Sequence, residues 1–170
     1  PNARLIVAGD GPLRVPFQRW VERHQIPDVV FAGHVAEADK VAYFRSADVY
    51  CAPSTGQESF GIVLLEAMAA GCAIVASDID GYRSLVVGGV DGLLVEPRNE
   101  QALTEAVSAL LSGRDMREQL GRAARAKAWR YDWRQVAGDV LAYYGHVGRD
   151  RAAVAPASQP FFELKGNGGA

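Results

Sequence analysis

Two glutamates, separated by seven residues, are the side chains of this sequence whose type and spacing best suit chemistry. Glu58 precedes a strongly apolar segment and Glu66 lies inside it. The segment predicts a helix over 60–70 that is apolar nearly all round and therefore buried, with Ser59 as N-cap and Gly71 at its end. A carboxylate on a buried helix has to be paired or hydrogen-bonded. At about 1.5 Å rise per helical residue, the two carboxylates would lie roughly 10 Å apart along one flank.

The backbone between the two glutamates adds an anion site. The first amides of the predicted helix, those of Gly61, Ile62 and Val63, have no partner within the helix and lie at the positive end of its dipole. A polyol at Glu58, a diphosphate at these amides and a second polyol at Glu66 would match hexose, diphosphate and ribose of a nucleotide-sugar. The alternative is purely structural, with an N-capping serine, a solvated Glu58 and a Glu66 that meets an arginine in the core.

A known signature resembles the whole of this segment. Retaining glycosyltransferases of the family-4 type, which have two Rossmann-like lobes (the GT-B fold), carry a Glu-x7-Glu donor motif. In this chain the matching residues are Glu58-Ser59-Phe60-Gly61-Ile62-Val63-Leu64-Leu65-Glu66, and they are followed by Ala67-Met68-Ala69-Ala70-Gly71. The bare pair of glutamates is a weak signal, whereas the whole run between two predicted strands is specific. The resemblance implies that the chain is the C-terminal, donor-binding lobe of such an enzyme.

The resemblance also implies a role for each part of the site. Glu58 is the implied catalytic residue, which orients the hexose hydroxyls without acting as a nucleophile, and Glu66 holds the ribose. The turn after the first strand borders the donor cleft, and backbone groups near Val35 abut the base. The implied donor-binding residues are Gly9, Gly11, Val35, Lys40, Ser59, Phe60, Gly61, Ile62, Val63 and Glu66. No metal site formed by the protein is implied.

Simpler explanations stay open for three positions outside the central motif. The Gly9-Asp10-Gly11-Pro12 turn is explained by a tight turn before a helix. Lys40, near the start of a predicted helix, is explained as an exposed lysine, and contact with the base or the phosphates is the alternative. His34 is explained as an exposed loop histidine.

The loop after the fourth predicted strand departs from the common family pattern. Many relatives carry Gly-Gly-x-x-Glu there, whereas this chain has Asp80-Gly81-Tyr82-Arg83-Ser84 and lacks the glutamate. In this respect it resembles the subgroup that mannosylates phosphatidylinositol in actinobacteria. Asp78 and Asp80 also form an Asp-x-Asp sequence. In a different, single-lobed glycosyltransferase fold such a sequence binds a metal, and we interpret its presence here as coincidence.

The implied reaction is transfer of a hexose, mannose from GDP-mannose, with retained anomeric configuration. The implied acceptor is phosphatidylinositol in the cytoplasmic leaflet. No tightly bound cofactor is expected beyond the nucleotide-sugar donor, and a divalent cation can accompany its diphosphate. Two alternatives remain open: a UDP-sugar-dependent retaining transferase with a soluble acceptor, and a non-catalytic nucleotide- or partner-binding lobe. An NAD-dependent oxidoreductase is disfavoured, because the first Gly-rich turn lacks the third glycine of the dinucleotide fingerprint.

Strands and helices that alternate along the chain predict an α/β fold with a doubly wound parallel sheet. The predicted strands are 4–8, 29–32, 48–52, 72–77 and 93–95, and the predicted helices are 13–24, 38–47, 60–70, 99–111, 115–129 and 131–147. Ligands bind at the carboxyl ends of such strands. Residues 1–148 form the predicted lobe, and residues 149–170, rich in alanine, proline and glycine, form a predicted flexible tail.

The composition limits the function classes. With 170 residues, 49% of them apolar, and a net charge of −2, the chain can bury a core and offers no global attraction for nucleic acid. No apolar run reaches the roughly 18 residues of a membrane span. Two cysteines without nearby histidine pairs argue against zinc and suit the cytosol. The basic residues between 114 and 134 could contact an anionic membrane at the inner face of the plasma membrane, but the acids among them favour a solvated face.

The chain enters a strand almost at once and has no initiator methionine, so we expect a piece of a longer protein. In the resembled family the C-terminal lobe starts with one more strand and helix, which carry an arginine and a lysine that grip the diphosphate. The N-terminal lobe of the same protein is then an implied partner. This piece alone is expected to be inactive and, with two strand edges uncovered, poorly stable.

Overall fold

The computed structural model describes residues 3–154, and the side chains of residues 3–147. Strands and helices alternate through most of this part of the chain, which confirms the predicted α/β class. The elements are β1 (Leu5–Ala8), α1 (Arg14–Arg23), β2 (Val29–Gly33), α2 (Glu37–Ser46), β3 (Val49–Ala52), α3 (Ile62–Ala70), β4 (Ala73–Ser77), α4 (Asp80–Arg83), β5 (Leu93–Val95), α5 (Glu100–Ser112), α6 (Arg114–Ala128), a 3-10 turn (Trp129–Tyr131) and α7 (Trp133–Val154).

The strands are parallel, but they form two sheets. β1 pairs with β2, with Leu5 opposite Val29, whereas β3, β4 and β5 form a second sheet in that order, with Val49 opposite Ala73. Within the described residues, β4 therefore has a strand neighbour on both sides, whereas β1, β2, β3 and β5 each have one.

β1 is exposed along its whole length, whereas its apolar run predicts a buried parallel strand. Burial requires layers on both faces, and within the described residues β2 is the one element that β1 contacts extensively. β4 is the buried strand, since all five of its residues are inaccessible. Leu64 and Met68 of α3 pack with Ile74 on one face of β4, and Val75 packs with Leu110 and Leu120 on the other.

The helix α3 is held tightly at its C-terminal end. It ends at Gly71, which has a left-handed backbone (φ +83°), as predicted. A β-carbon at Gly121 of α6 would collide with the carbonyl oxygen of Gly71, so only glycine allows α6 to approach this closely.

The cysteines Cys51 and Cys72 are free thiols, and burial raises the pKa of Cys72 to about 11.

The last helix belongs to a second compact unit, since the chain divides at residues 131 and 132. α7 begins beside Asp132, whose Oδ1 accepts a hydrogen bond from the amide of Arg134. It runs to Val154, so residues 149–154 are helical instead of belonging to the predicted tail. The remainder of that predicted tail, residues 155–170, lies outside the described residues. Within residues 3–154, no helix is long and apolar enough to cross a membrane.

Candidate functional site

The loop between β3 and α3 places the Glu58 carboxylate at the start of α3. Gly61 is the N-cap of this helix and adopts a left-handed backbone (φ +88°), so the predicted N-cap at Ser59 and the predicted start at Phe60 are wrong. Glu58 Oε1 instead accepts a hydrogen bond from the Gly61 amide at 3.2 Å. An acid at the positive end of the helix dipole is stabilising. The sequence-level reasoning did not foresee that Glu58 itself caps the helix.

Of the three amides of the predicted anion site, that of Gly61 has an acceptor in the structure. Gly61 donates to Glu58, whereas the amides of Ile62 and Val63 have no acceptor among the described residues. The residues Ile62 and Val63 are 66% and 47% exposed, so the start of α3 is open to solvent. Two unpaired helical amides at an exposed N-terminus can bind an anion.

Tyr82 of the short helix α4 (Asp80–Arg83) packs against the loop between β3 and α3. Tyr82, which is buried, donates its hydroxyl proton to Ser54 Oγ at 3.0 Å. Its ring carbon Cε1 lies 2.9 Å from the position that a β-carbon on Gly61 would take, so a side chain larger than hydrogen does not fit there. Tyr82 was not singled out from sequence. The available signal was an aromatic residue in the loop that follows the buried strand β4.

Glu66, the second acid of the motif, forms an ion pair with Lys40 of α2. Glu66 Oε1 accepts a hydrogen bond from Lys40 Nζ at 3.1 Å, and Oε2 lies 2.9 Å from the same nitrogen. The Glu66 side chain is 34% exposed and that of Lys40 is 24% exposed. The carboxylate thus has the partner that its position on a buried helix requires, although that partner is a lysine and not the core arginine of the structural alternative.

Lys40 is therefore not the solvent-exposed lysine of the simpler explanation. Its ammonium group also donates to Glu37 Oε1, one helical turn earlier, at 3.0 Å. The carboxylates of Glu37 and then Glu66 raise the pKa of Lys40 above its usual value. Packing of α2 against α3 brings Lys40 and Glu66 together.

The turns after β1 and β2 lie side by side. The amide of Gly9 donates to the carbonyl of Gly33 at 2.7 Å, and Gly9 has a backbone conformation (φ +118°) that favours glycine. The side chain of Asp10 accepts a hydrogen bond from the Gly11 amide at 2.8 Å. Arg14 of α1 reaches back to Asp10 Oδ2 at 3.2 Å.

Arg14 is a cation that sequence reasoning missed at this edge. Its guanidinium lies against Gly33, where a β-carbon would come within 3.0 Å of Nη1. A signal was present, because an arginine in the first turn of a helix opposes the helix dipole and needs another reason to be there. Val35, which follows the β2 turn, is partly buried, and His34 is exposed, as its simpler explanation predicts.

Both carboxylates of the Asp-x-Asp sequence after β4 pair with an arginine. Arg83 Nε donates to Asp78 at 2.6 Å, and its Nη1 donates to Asp80 at 3.1 Å. The Arg83 guanidinium lowers the pKa of Asp78. Within the described part of the chain, no three histidine, cysteine, aspartate or glutamate side chains are grouped so as to hold a metal ion.

The basic residues of α6 are largely engaged in ion pairs. Arg117 pairs with Asp48, and Lys127 pairs with the buried Asp91 at 2.9 Å. Glu118 pairs with both Arg114 and Arg122. Arg114, Arg117 and Glu118 also line an open cavity of about 410 Å³ with Asp48. This cavity lies at the amino ends of β3 and β4, away from the glutamate pair, and its charges are already compensated.

Comparisons with known proteins place the chain in a family. A family model described as glycosyl transferases group 1 matches residues 1–127. The phosphatidyl-myo-inositol mannosyltransferase of Mycobacterium tuberculosis is 47% identical over 162 residues, which cover 93% of this chain and 42% of that protein. The protein of the same name from Mycobacterium leprae is 44% identical over 133 residues, which cover 78% of this chain and 36% of that protein. The chain thus spans about two-fifths of the length of these relatives.

Solved structures share the fold. Anabaena HepE in complex with UDP-glucose has a TM-score of 0.77 and 25% identity, over 86% of this chain and 42% of that one. Sucrose-phosphate synthase from Thermosynechococcus elongatus has a TM-score of 0.75 and 27% identity, over 89% of this chain and 39% of that one. These neighbours are GT-B glycosyltransferases, and the parallel α/β arrangement is compatible with a Rossmann-like C-terminal lobe. With its Glu58–Glu66 motif at the start of α3, the chain belongs to the glycosyl transferases group 1 family.

Proposed function

We propose that the protein is a retaining glycosyltransferase that transfers mannose from GDP-mannose to phosphatidylinositol, and that this chain is its donor-binding part. The observation that carries the proposal is the arrangement at α3. Glu58 caps the helix at its open N-terminus, and Glu66 lies about one turn beyond the first helical residue, with Lys40 at its carboxylate. The relatives named as phosphatidyl-myo-inositol mannosyltransferases support the choice of sugar and acceptor.

In this proposal the hexose, the diphosphate and the ribose of the donor lie along α3 and the loop before it, and the base lies beyond them. The hexose hydroxyls bind Glu58, the diphosphate meets the amides of Ile62 and Val63, and the ribose binds Glu66. Ser59, Phe60 and Gly61 form the loop around the hexose and the diphosphate. The base lies near Val35, and the Gly9–Gly11 turn closes the cleft. Lys40, which pairs with Glu66, is the remaining residue of the donor-binding set.

The chemistry depends mainly on the leaving group. The bond between the hexose C1 and the diphosphate oxygen breaks, and its electron pair stays on the diphosphate. The C1 atom bonds to an acceptor hydroxyl oxygen on the same face, and the departing diphosphate takes up the hydroxyl proton. Amides aimed at the developing charge stabilise such a transition state. Two amides of this chain supply part of that stabilisation, and the remainder comes from cations elsewhere in the whole protein or from a divalent cation that accompanies the diphosphate.

The acceptor places the reaction at the cytoplasmic leaflet, with the protein bound peripherally. The lipid acceptor and the N-terminal lobe are partners of the whole protein, and nucleic acid is not. A second candidate function is a UDP-sugar-dependent transferase with a soluble acceptor. The observation that favours it is the structural likeness to HepE, whose complex contains UDP-glucose. A non-catalytic nucleotide-binding lobe is the third.

A thermal-shift titration of the full-length protein with GDP-mannose, GDP, UDP-glucose and UDP tests the donor. We expect stabilisation by the two guanine nucleotides and its loss in Glu66→Ala. Stabilisation by the uridine nucleotides instead would favour the second candidate, a UDP-sugar-dependent transferase, over transfer of mannose to phosphatidylinositol. If none of the four nucleotides raised the melting temperature, a donor site would be contradicted. Binding of a nucleotide-sugar without transfer of its sugar would favour the non-catalytic lobe.

A further inference from the structure

The ammonium group of Lys40 lies between two carboxylates from different helices. Glu37 belongs to the same helix as Lys40, and its two carboxylate oxygens lie 3.0 and 2.9 Å from Nζ. Glu66 belongs to α3, and its oxygens lie 3.1 and 2.9 Å from the same nitrogen. One lysine therefore connects an exposed acid of α2 with the second acid of the Glu58–Glu66 motif.

The two ion pairs differ in their surroundings. Glu37 is 84% exposed, so its pair with Lys40 resembles the surface ion pairs that contribute little to stability. Glu66 is mostly buried, and its Oε2 is inaccessible and has no hydrogen bond of good geometry among the described residues. Lys40 Nζ is the cation that compensates this oxygen. Without Lys40, the carboxylate would be a partly buried charge with no partner and no fixed orientation.

We propose that Lys40 is a positioning residue for Glu66. It fixes the orientation of the carboxylate by pairing with the inaccessible Oε2, so that Oε1 can accept a hydrogen bond from the hydroxyl groups of a nucleotide ribose. Glu37 anchors Lys40 from the solvent side. Lys40 thus contributes to donor binding through Glu66 and not through a contact of its own with the nucleotide. The inference rests on the proposed function, because it requires a nucleoside diphosphate whose ribose binds Glu66.

The inference predicts coupling among Lys40, Glu66 and the ribose hydroxyls. Four forms of the full-length protein are compared by calorimetry: wild type, Lys40→Met, Glu66→Gln and the double variant. Each is titrated with GDP and with 2′,3′-dideoxy-GDP, which lacks both ribose hydroxyls. We expect Lys40→Met to weaken GDP binding about tenfold, the loss typical of a charged hydrogen bond, and dideoxy-GDP binding by less than about twofold. The double variant should bind GDP as weakly as Glu66→Gln alone.

Two further variants separate positioning from folding. Arg45→Met removes an exposed cation from the same helix, one that forms no ion pair with the described residues, and should leave GDP binding unchanged. Lys40→Arg retains a cation that can pair with Glu66 and should restore most of the affinity. If Lys40→Met lost affinity only because α2 and α3 separated, dideoxy-GDP binding would fall with it, and the inference would be wrong.

The remaining outcomes are equally distinct. Losses that add fully in the double variant would mean that Lys40 acts on the nucleotide independently of Glu66, and they would overturn the inference while the donor site stands. Binding of UDP without GDP would remove the guanine assignment, and the same cycle with UDP and 2′,3′-dideoxy-UDP would then decide the role of Lys40. A wild-type protein that binds neither nucleotide would contradict the proposed function and the inference together.

Discussion

The ring of Tyr82 lies against Gly61, with its Cε1 atom 2.9 Å from the place where a β-carbon on Gly61 would be. This contact fixes the start of α3, because Gly61 is also the N-cap and donates its amide proton to Glu58. The Glu58 loop is thereby supported by α4, the helix that carries Tyr82. The geometry of the loop and that of the buried core are thus connected through one aromatic ring.

Gly61→Ala should destabilise the protein and displace the Glu58 loop. A left-handed backbone costs a non-glycine residue about 1–2 kcal/mol, and the contact with Tyr82 adds to this. Chemical unfolding of the full-length protein measures the loss. Gly11→Ala is the matched control, since nothing lies within 4 Å of its added carbon, and its unfolding free energy should change by less than about 0.5 kcal/mol. Equal stability of the two variants would show that Tyr82 and the left-handed backbone do not constrain Gly61.

The two glutamates should have separable roles. Glu66→Ala removes charged hydrogen bonds to the ribose and should weaken GDP binding by about 1–3 kcal/mol. Glu58→Ala should lower the turnover number more than the affinity for GDP, because GDP lacks the hexose that Glu58 orients. Calorimetry with GDP and steady-state rates with GDP-mannose measure the two effects. If both variants lost GDP affinity equally, the division of roles along α3 would be wrong.

Lys127→Met should destabilise the protein, by about 3–5 kcal/mol if the remaining charge stays buried. Asp91 is 4% exposed, accepts a hydrogen bond from the Val87 amide at 2.6 Å and pairs with Lys127 at 2.9 Å. Loss of the lysine leaves a buried carboxylate without its cation. Arg122→Met is the control, because Arg122 pairs at the surface with Glu118. Similar, small losses of unfolding free energy in both variants would show that water reaches Asp91.

The 170-residue chain should be poorly stable when it is studied alone. β1 and β3 each present an unpaired edge, and Leu5, Phe17 and Trp20 are about half exposed. Such edges and apolar surfaces favour association between chains. We expect a broad thermal transition and oligomers in light scattering. A monomer with a sharp, cooperative transition would contradict this expectation.

The features that follow from local sequence are those that the sequence predicts well. The apolar run of α3 and its end at Gly71 are local, as is the cap of α5, where Asn99 Oδ1 accepts a hydrogen bond from the Ala102 amide at 2.9 Å. The pair of Lys40 and Glu66 joins residues 26 positions apart, and no local pattern reports it. The N-cap differs from the prediction because a left-handed glycine and the Glu58 carboxylate together replace the serine. Burial of β1 depends on neighbours, which its own composition does not reveal.

Transfer of mannose is the measurement that tests the central claim most directly. The full-length protein is incubated with GDP-mannose labelled in the sugar and with vesicles that contain phosphatidylinositol, and the labelled lipid and its anomeric configuration are determined. We predict labelled lipid in which the anomeric configuration of the donor is retained, and a rate at least about a hundredfold lower with Glu58→Ala, as for the loss of a group that acts in the transition state. Unlabelled lipid, an inverted product or an undiminished rate in Glu58→Ala would contradict the account.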